Sequence, residues 1–118
     1  MKRKIAVKRI YEQPEDGDGY RMLVDRLWPR GMKKEDARLD EWNKDIAPSN
    51  DLRKWFNHEP ERFDEFAKRY VLELQDKTDE LLRLSQIADT RGLTLLFAAK
   101  DLSHNQAVVL LQLLNSLK

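Results

Sequence analysis

Apolar positions along this chain follow two different periods, one typical of strands and one typical of helices. Near the amino end, Ile5 and Val7 alternate with polar neighbours towards Ile10, which predicts a strand half-exposed to solvent. The runs at 22–24 and 93–98 are continuously apolar and predict strands buried on both faces. Residues 40–46 are a candidate for one further strand.

Helical spacing dominates the middle of the chain. Ser49 is placed to cap a helix that carries apolar residues at positions 52, 55 and 56, and Pro60 suits the first position of the next helix. Residues 63–74 follow the three-and-four spacing of a helix laid on a core. Thr78 is predicted to cap a third helix, which Gly92 ends.

The last apolar run predicts a final helix. Ser103 and Gln106 match the spacing of a capping box, so the helix is expected to begin at Ser103. It is apolar almost all round through Leu117, which predicts a helix sandwiched against the sheet or buried in a dimer.

This alternation of strands and helices predicts an α/β fold. We expect a small, mostly parallel sheet of about four strands with helices packed on both faces. Residues 13–19 read as a loop, and residues 33–38 as one or two helical turns. With 118 residues, the chain should form a single domain, residues 1–118, that buries roughly two-thirds of its unfolded surface.

Composition narrows the classes of partner. The 22 basic and 21 acidic residues leave a net charge of +1, so duplex nucleic acid and anionic membranes are not expected partners. The absence of cysteine excludes disulfides and thiol nucleophiles and agrees with a cytoplasmic location. The first residues lack the apolar centre of a signal peptide, and the longest apolar stretch, residues 107–114, is shorter than the roughly 20 residues of a membrane span.

The candidate chemistry lies in the two segments that follow the buried strands, residues 25–31 and 99–105. In parallel sheets, ligands bind beyond the carboxyl ends of the strands. If these two strands are parallel neighbours, both segments line one crevice. The candidate ligand-binding residues are Asp25, Arg26, Trp28, Arg30, Lys100, Asp101, His104 and Asn105.

These residues favour an anionic ligand. Arg26 and Arg30 suit a bidentate grip on carboxylate or phosphate, Lys100 adds a point charge, and the expected helix start at Ser103 offers backbone N–H groups. A nucleotide, a sugar phosphate or a carboxylate is therefore the expected ligand. Paired with His104, a neighbouring aspartate could act in acid–base chemistry, but the sequence names no reaction and leaves open whether the protein is an enzyme.

Each candidate also has a structural interpretation. Asp25 and Arg26 could form an ion pair that holds the loop, and Trp28 could be a packed aromatic. Lys100 and Asp101 could be a solvated turn. With two histidines and no cysteine, the chain is not expected to hold a metal site. It has no glycine-rich phosphate loop, so no cofactor is expected either.

Two other classes of function stay open. Single-stranded nucleic acid could stack on Trp28 and Trp42 beside the neighbouring basic residues Arg26, Arg30 and Lys33. Alternatively, the apolar last helix could serve a protein-interaction module, either as a dimer surface or against another partner. The chain is accordingly expected to be a monomer or a homodimer.

Three segments carry a resemblance to a known family. They are the run 19–31, which contains Val-Asp-Arg-Leu-Trp-Pro-Arg-Gly, the run 47–56, and the run 95–105. Over nearly its whole length the chain resembles the YeaO-like family of small bacterial proteins, part of a larger group of domains of unknown function. The resemblance implies a compact cytoplasmic α/β domain and carries no assigned activity. Some members of the wider group have cysteines near the last strand, which this chain lacks.

Overall fold

A four-stranded parallel sheet organises the fold in a computed structural model that describes residues 4–117. The strands are β1 (Ile5–Arg9), β2 (Tyr20–Leu23), β3 (Glu41–Trp42) and β4 (Leu93–Phe97). The helices are α1 (Lys34–Ala37), α2 (Asn50–Phe56), α3 (Phe63–Leu74), α4 (Thr78–Thr90) and α5 (Gln106–Ser116). Short 3₁₀ turns occupy Asp16–Asp18, Pro60–Arg62 and Gln75–Lys77. The predicted α/β class is confirmed.

The two buried strands are neighbours at the centre of the sheet. The strand order is β1-β4-β2-β3, and every neighbouring pair is parallel. Leu23 at the end of β2 pairs with Leu96 of β4, and the next amide, Val24 N, donates to the Leu96 carbonyl at 3.0 Å. The carboxyl ends of β2 and β4 therefore lie side by side, which is the arrangement that a shared crevice requires.

Alternate residues of the central strands enter two separate cores. Met22, Leu95 and Phe97 join the larger core, to which α2, α3, α4 and α5 contribute. Leu23 and Leu96 face the smaller core, which contains Ala37 of α1 together with Trp28 and Trp42. Helices thus pack on both faces, but α1 has only four residues, so the segment between β2 and β3 covers most of the second face.

The apolar last helix is explained by packing. α5 contacts β1 and β4 as well as α3 and α4, and its Ala107, Leu110 and Leu114 are fully buried. The expectation of a helix sandwiched against the sheet is therefore confirmed. Within residues 4–117, no helix is long and apolar enough to cross a membrane.

Two local predictions were wrong. Thr78 is the first residue of α4 and not its cap; its hydroxyl donates to the Gln75 carbonyl at 3.2 Å, because the 3₁₀ turn after α3 leaves no extended residue to serve as a cap. The strand expected over 40–46 is limited to β3, since Asn43 Oδ1 accepts from the Ile46 amide at 3.1 Å and closes a turn. The Ser49 cap is confirmed by its bond from the Leu52 amide.

Candidate functional site

Asp25 joins the ends of the two central strands. Its Oδ2 accepts from the Ala98 amide at 2.9 Å, directly after β4, and its Oδ1 accepts from the side-chain amide of Gln106, the first residue of α5. The Asp25 carbonyl accepts from the indole N–H of Trp42 at 2.7 Å. Both carboxylate oxygens thus accept hydrogen bonds within the protein, and Asp25 connects the loop after β2 to the loop after β4 and to the start of α5.

The carboxyl group of Asp25 has an altered acidity. Burial raises its pKa from 3.8 to about 6, although the hydrogen bonds from Ala98 and Gln106 act in the opposite direction. Burial therefore destabilises the ionised carboxylate, and the two hydrogen-bond donors compensate only part of the lost hydration.

Arg26 holds the backbone that leads into α2. Its Nε donates to the Pro48 carbonyl at 2.9 Å, and Nη2 donates to the Ala47 carbonyl at 3.4 Å. No ion pair joins Arg26 to Asp25 in the part of the chain that the structure describes. Instead of pairing with its neighbour, Arg26 connects the segment after β2 to the amino end of α2.

Trp28 is a packed aromatic residue. Its indole N–H donates to the Met32 carbonyl at 2.8 Å, and its ring meets Trp42 edge to face with centroids 5.2 Å apart. Both tryptophans are partly buried against the smaller core. Two rings that pack on each other in this way leave less free surface for stacking on a nucleic-acid base.

Arg30 lies at the outer end of the first loop and is exposed. Its carbonyl accepts from the Tyr11 hydroxyl at 2.7 Å, while no hydrogen bond or ion pair within residues 4–117 engages its guanidinium. The Tyr11 ring lies against the guanidinium of Arg9, which donates to the carbonyls of Ala98 and Ala99. Through Tyr11 and Arg9, the backbone at Arg30 is connected to the loop after β4.

Asp101 and His104 form a pair in the second loop. Asp101 Oδ2 lies 2.8 Å from His104 Nδ1, and Oδ1 accepts from the amides of Ser103 and His104 at 2.9 and 3.1 Å. These bonds, that from Ser103 first, lower the pKa of Asp101. The imidazole packs edge to face on Phe63, 5.1 Å between centroids, so it is held from two sides while its side chain stays 38% exposed.

The start of the last helix was predicted wrongly. α5 begins at Gln106, and its cap is Asn105, whose Oδ1 accepts from the Val108 amide at 3.1 Å. Asn105 is buried, and its Nδ2 donates to the Asp101 carbonyl at 2.9 Å. Because Asp101 accepts the amide of Ser103 within its own turn, Ser103 lies before the helix and is exposed. The prediction that a helix beginning at Ser103 offers its backbone N–H groups to a ligand is therefore wrong, because the helix begins at Gln106.

In the structure, the eight predicted residues fall into three groups. Those with internal partners are Asp25, Arg26, Trp28 and Asn105. Lys100 and Arg30 are exposed, and no side-chain partner engages either of them among the described residues. The Asp101–His104 pair satisfies one imidazole nitrogen and leaves Nε2 available.

Three residues at this edge were missed by the sequence analysis. Arg9 and Gln106 hold the two loops through the bonds described above, and Phe63 supports His104. Among the described residues, the Nε atom of Arg53 on α2 is buried without a hydrogen-bond partner, and no contact joins Arg53 to either loop.

No group of three or more metal-ligating side chains occurs among residues 4–117. A groove of about 570 Å³ lies between α3 and α5, away from the two loops, and is lined mainly by apolar side chains such as Val71, Leu72 and Leu113.

The comparisons with known proteins find relatives along nearly the whole chain. The model of the family described as the inactive DUF488-N3 subclade matches residues 4–117. The chain is 50% identical to the uncharacterised protein YeaO of Escherichia coli over 96% of this chain and 98% of YeaO. It is 46% identical to the uncharacterised proteins Rv3073c of Mycobacterium tuberculosis and Mb3100c of Mycobacterium bovis, over 95% of this chain and 94% of each relative. No solved structure matches the chain.

Proposed function

The chain belongs to the YeaO-like proteins of the inactive DUF488-N3 subclade, and from this premise we propose that it binds a small anionic ligand where β2 and β4 end. The observation that carries the proposal is the meeting of the two loops at Asp25, which accepts from the amide of Ala98. This meeting brings two loops, each with an exposed cation, to the one edge of a parallel sheet where ligands bind.

Unpartnered cations support an anionic ligand. The Arg30 guanidinium and the Lys100 ammonium lie on the two loops without a side-chain partner among the described residues. A carboxylate or phosphate can therefore bind them without displacing an internal bond. His104, oriented by Asp101, adds a hydrogen-bonding group whose free nitrogen is available to the same ligand.

Binding without turnover is the form of this proposal that we favour. The matched subclade is described as inactive. At the site itself, each oxygen of the partly buried Asp25 carboxylate already accepts a hydrogen bond from within the protein, so use of this group as a base would compete with those bonds. We place this function in the cytoplasm, in keeping with a chain that has no cysteine.

The test measures thermal stability against phosphates, nucleotides, sugar phosphates and carboxylates. A ligand at about 100 times its dissociation constant adds about 2.7 kcal/mol, or about 10 °C in Tm for a domain of this size. We expect Arg30→Ala and Lys100→Ala to lose that shift while keeping their Tm without ligand. Lys54→Ala, an exposed lysine on α2, is the matched control and should keep the shift. Absence of a shift with every compound in the wild type would overturn the proposal.

A further inference from the structure

Tyr11 is an exposed aromatic residue at the edge of the sheet that carries the candidate site. It follows the last paired residue of β1, since the Ile10 amide donates to the Phe97 carbonyl at 2.8 Å, at the end of β4. β1 and β4 are parallel neighbours, so their carboxyl ends lie side by side. Tyr11 therefore lies at the same edge as the two loops, where ligands of parallel sheets bind.

A chain of contacts connects Tyr11 to both loops. Its hydroxyl donates to the Arg30 carbonyl at 2.7 Å, in the loop after β2. Its ring packs on the guanidinium of Arg9, with Cζ 4.7 Å from the ring centroid. Arg9 Nε in turn donates to the Ala99 carbonyl at 2.9 Å, in the loop after β4. The contacts thus run from Arg30 to the residue before Lys100, so the two exposed cations of the proposed site lie at their two ends.

The Tyr11 ring is held in place and stays accessible. The hydroxyl bond and the Arg9 contact restrict the side chain, so a ligand that stacks on the ring would not have to order it first. Tyr11 is 41% exposed, and no second aromatic or cationic group packs on its ring within residues 4–117. Because Arg9 covers one face, the exposed surface lies on the remainder of the ring, where a planar group can stack.

Exposed apolar surface is concentrated at this edge. Among the described residues, three of the five exposed large apolar side chains belong to it: Tyr11 after β1, Leu27 in the first loop and Leu102 in the second. The other two, Leu72 and Leu82, lie on α3 and α4. A sugar phosphate or a small carboxylate would bury little of this apolar surface. A ligand that also carries a flat aromatic ring would bury more of it and gain affinity.

We infer that Tyr11 is a ligand-binding residue on which the base of a mononucleotide stacks, while Arg30 and Lys100 bind the phosphate. Among the ligand classes of the proposed function, a nucleotide is the one that joins a planar aromatic ring to a phosphate. Stacking suits Tyr11 because every base offers a flat π face to an aromatic side chain. The inference rests on the proposed function, since it uses the same edge of the sheet, and it narrows the anion to one that carries a base.

The experiment compares two probes that differ by the base. Calorimetric titration of the full chain with AMP and with ribose 5-phosphate, in Tris chloride free of phosphate and sulfate, measures both affinities. We expect the wild type to bind AMP about tenfold or more tightly than ribose 5-phosphate, because stacking of one base on an aromatic ring contributes about that much.

Two substitutions of Tyr11 separate stacking from support of the loop. Tyr11→Leu removes the ring, so it should lose the preference for AMP and bind ribose 5-phosphate as the wild type does. Tyr11→Phe keeps the ring and removes the hydroxyl that donates to the Arg30 carbonyl, so it should keep the preference. Leu72→Ala, which changes an exposed apolar residue on α3, is the matched control and should bind both probes normally.

A structural role for Tyr11 predicts different results. Equal loss of AMP binding in Tyr11→Leu and Tyr11→Phe, or weakening of both probes by the same factor in Tyr11→Leu, would assign Tyr11 to the scaffold and overturn the inference. The comparison of the two variants on AMP alone decides this even where ribose 5-phosphate binds too weakly to titrate.

Equal affinities of the wild type for AMP and ribose 5-phosphate would overturn the inference and leave the proposed function in place, as would binding of carboxylates without either probe. Failure of the wild type to bind any of these anions would overturn both.

Discussion

Replacing Asp25 with asparagine should make the protein more stable at neutral pH. The folded protein holds this carboxyl with a pKa of about 6 against an ordinary 3.8, so the folded state binds a proton more tightly than the unfolded state. Stability from this group is fully present below pH 3.8 and is lost as the pH rises through 6. The asparagine side chain does not ionise, so the variant does not lose stability in this way as the pH rises. Its amide oxygen can still accept the hydrogen bond from the Ala98 amide.

The size of the effect follows from the two pKa values. A rise from 3.8 to about 6 corresponds to about 3 kcal/mol in total, of which about 2.5 kcal/mol falls between pH 4 and pH 8. This is a large share of the 5–15 kcal/mol by which domains are typically stable.

Urea unfolding of the wild type and Asp25→Asn, at half-unit steps from pH 4 to pH 8, measures the difference. Contributions from groups common to both proteins cancel. We expect Asp25→Asn to gain on the wild type up to about pH 6.5 and to keep a constant lead above that. Asp101→Asn is the contrasting control: the pKa of Asp101 is lowered in the fold, so the stability that this group contributes is lost only as the pH falls below about 3.8, and the difference of this variant from the wild type should stay nearly flat from pH 4 to pH 8. A difference for Asp25→Asn that stays flat across this range would refute the reasoning.

Two further comparisons test the fold around the site. Asn105→Ala should cost about 2 kcal/mol, because it removes the cap of α5 and the bond to the partly buried Asp101 carbonyl, whereas Ser103→Ala should change the urea midpoint little. An equal loss in both would contradict the cap assignment. Gly19→Ala should cost about 2–4 kcal/mol, since at φ +66° its Cβ would lie 2.6 and 2.7 Å from the carbonyls of residues 91 and 92. Gly31→Ala, at φ +75° in open space, should cost about 1–2 kcal/mol, and equal losses would rule out the clash.

The sequence predicted the strands at the centre of the sheet and the loops that follow them, because continuous apolar runs have few alternatives in a small domain. It could not establish that β2 and β4 are neighbours. That arrangement depends on pairing between residues about 70 positions apart, such as Leu23 with Leu96, which no local pattern contains. The shared edge was accordingly a conditional prediction until the strand order was known.

The start of α5 shows why a local pattern can mislead. Ser103 and Gln106 have the spacing of a capping box, but Asp101 accepts the amides of Ser103 and His104 and closes a separate turn first. Asn105 then becomes the cap, and Gln106 turns towards Asp25 instead of back to the cap. Competing side-chain acceptors within a few residues decided the outcome, and spacing alone does not rank them.

Hydrogen-bond satisfaction separates the residues that build this edge from those that we propose bind the ligand. Asp25, Arg26 and Asn105 each have internal partners, so a ligand that used them would first have to break a bond, at a cost of about 1–3 kcal/mol for each buried group left unpaired. Arg30 and Lys100 can bind an anion without that cost. Substitutions in the first set should therefore change stability and binding together, whereas substitutions in the second set should change binding alone. If binding were measured without stability, the loss of binding in a destabilised variant would be mistaken for the loss of a ligand contact. Asp25, Arg26 and Asn105 would then be taken for ligand-binding residues, as the sequence alone predicted.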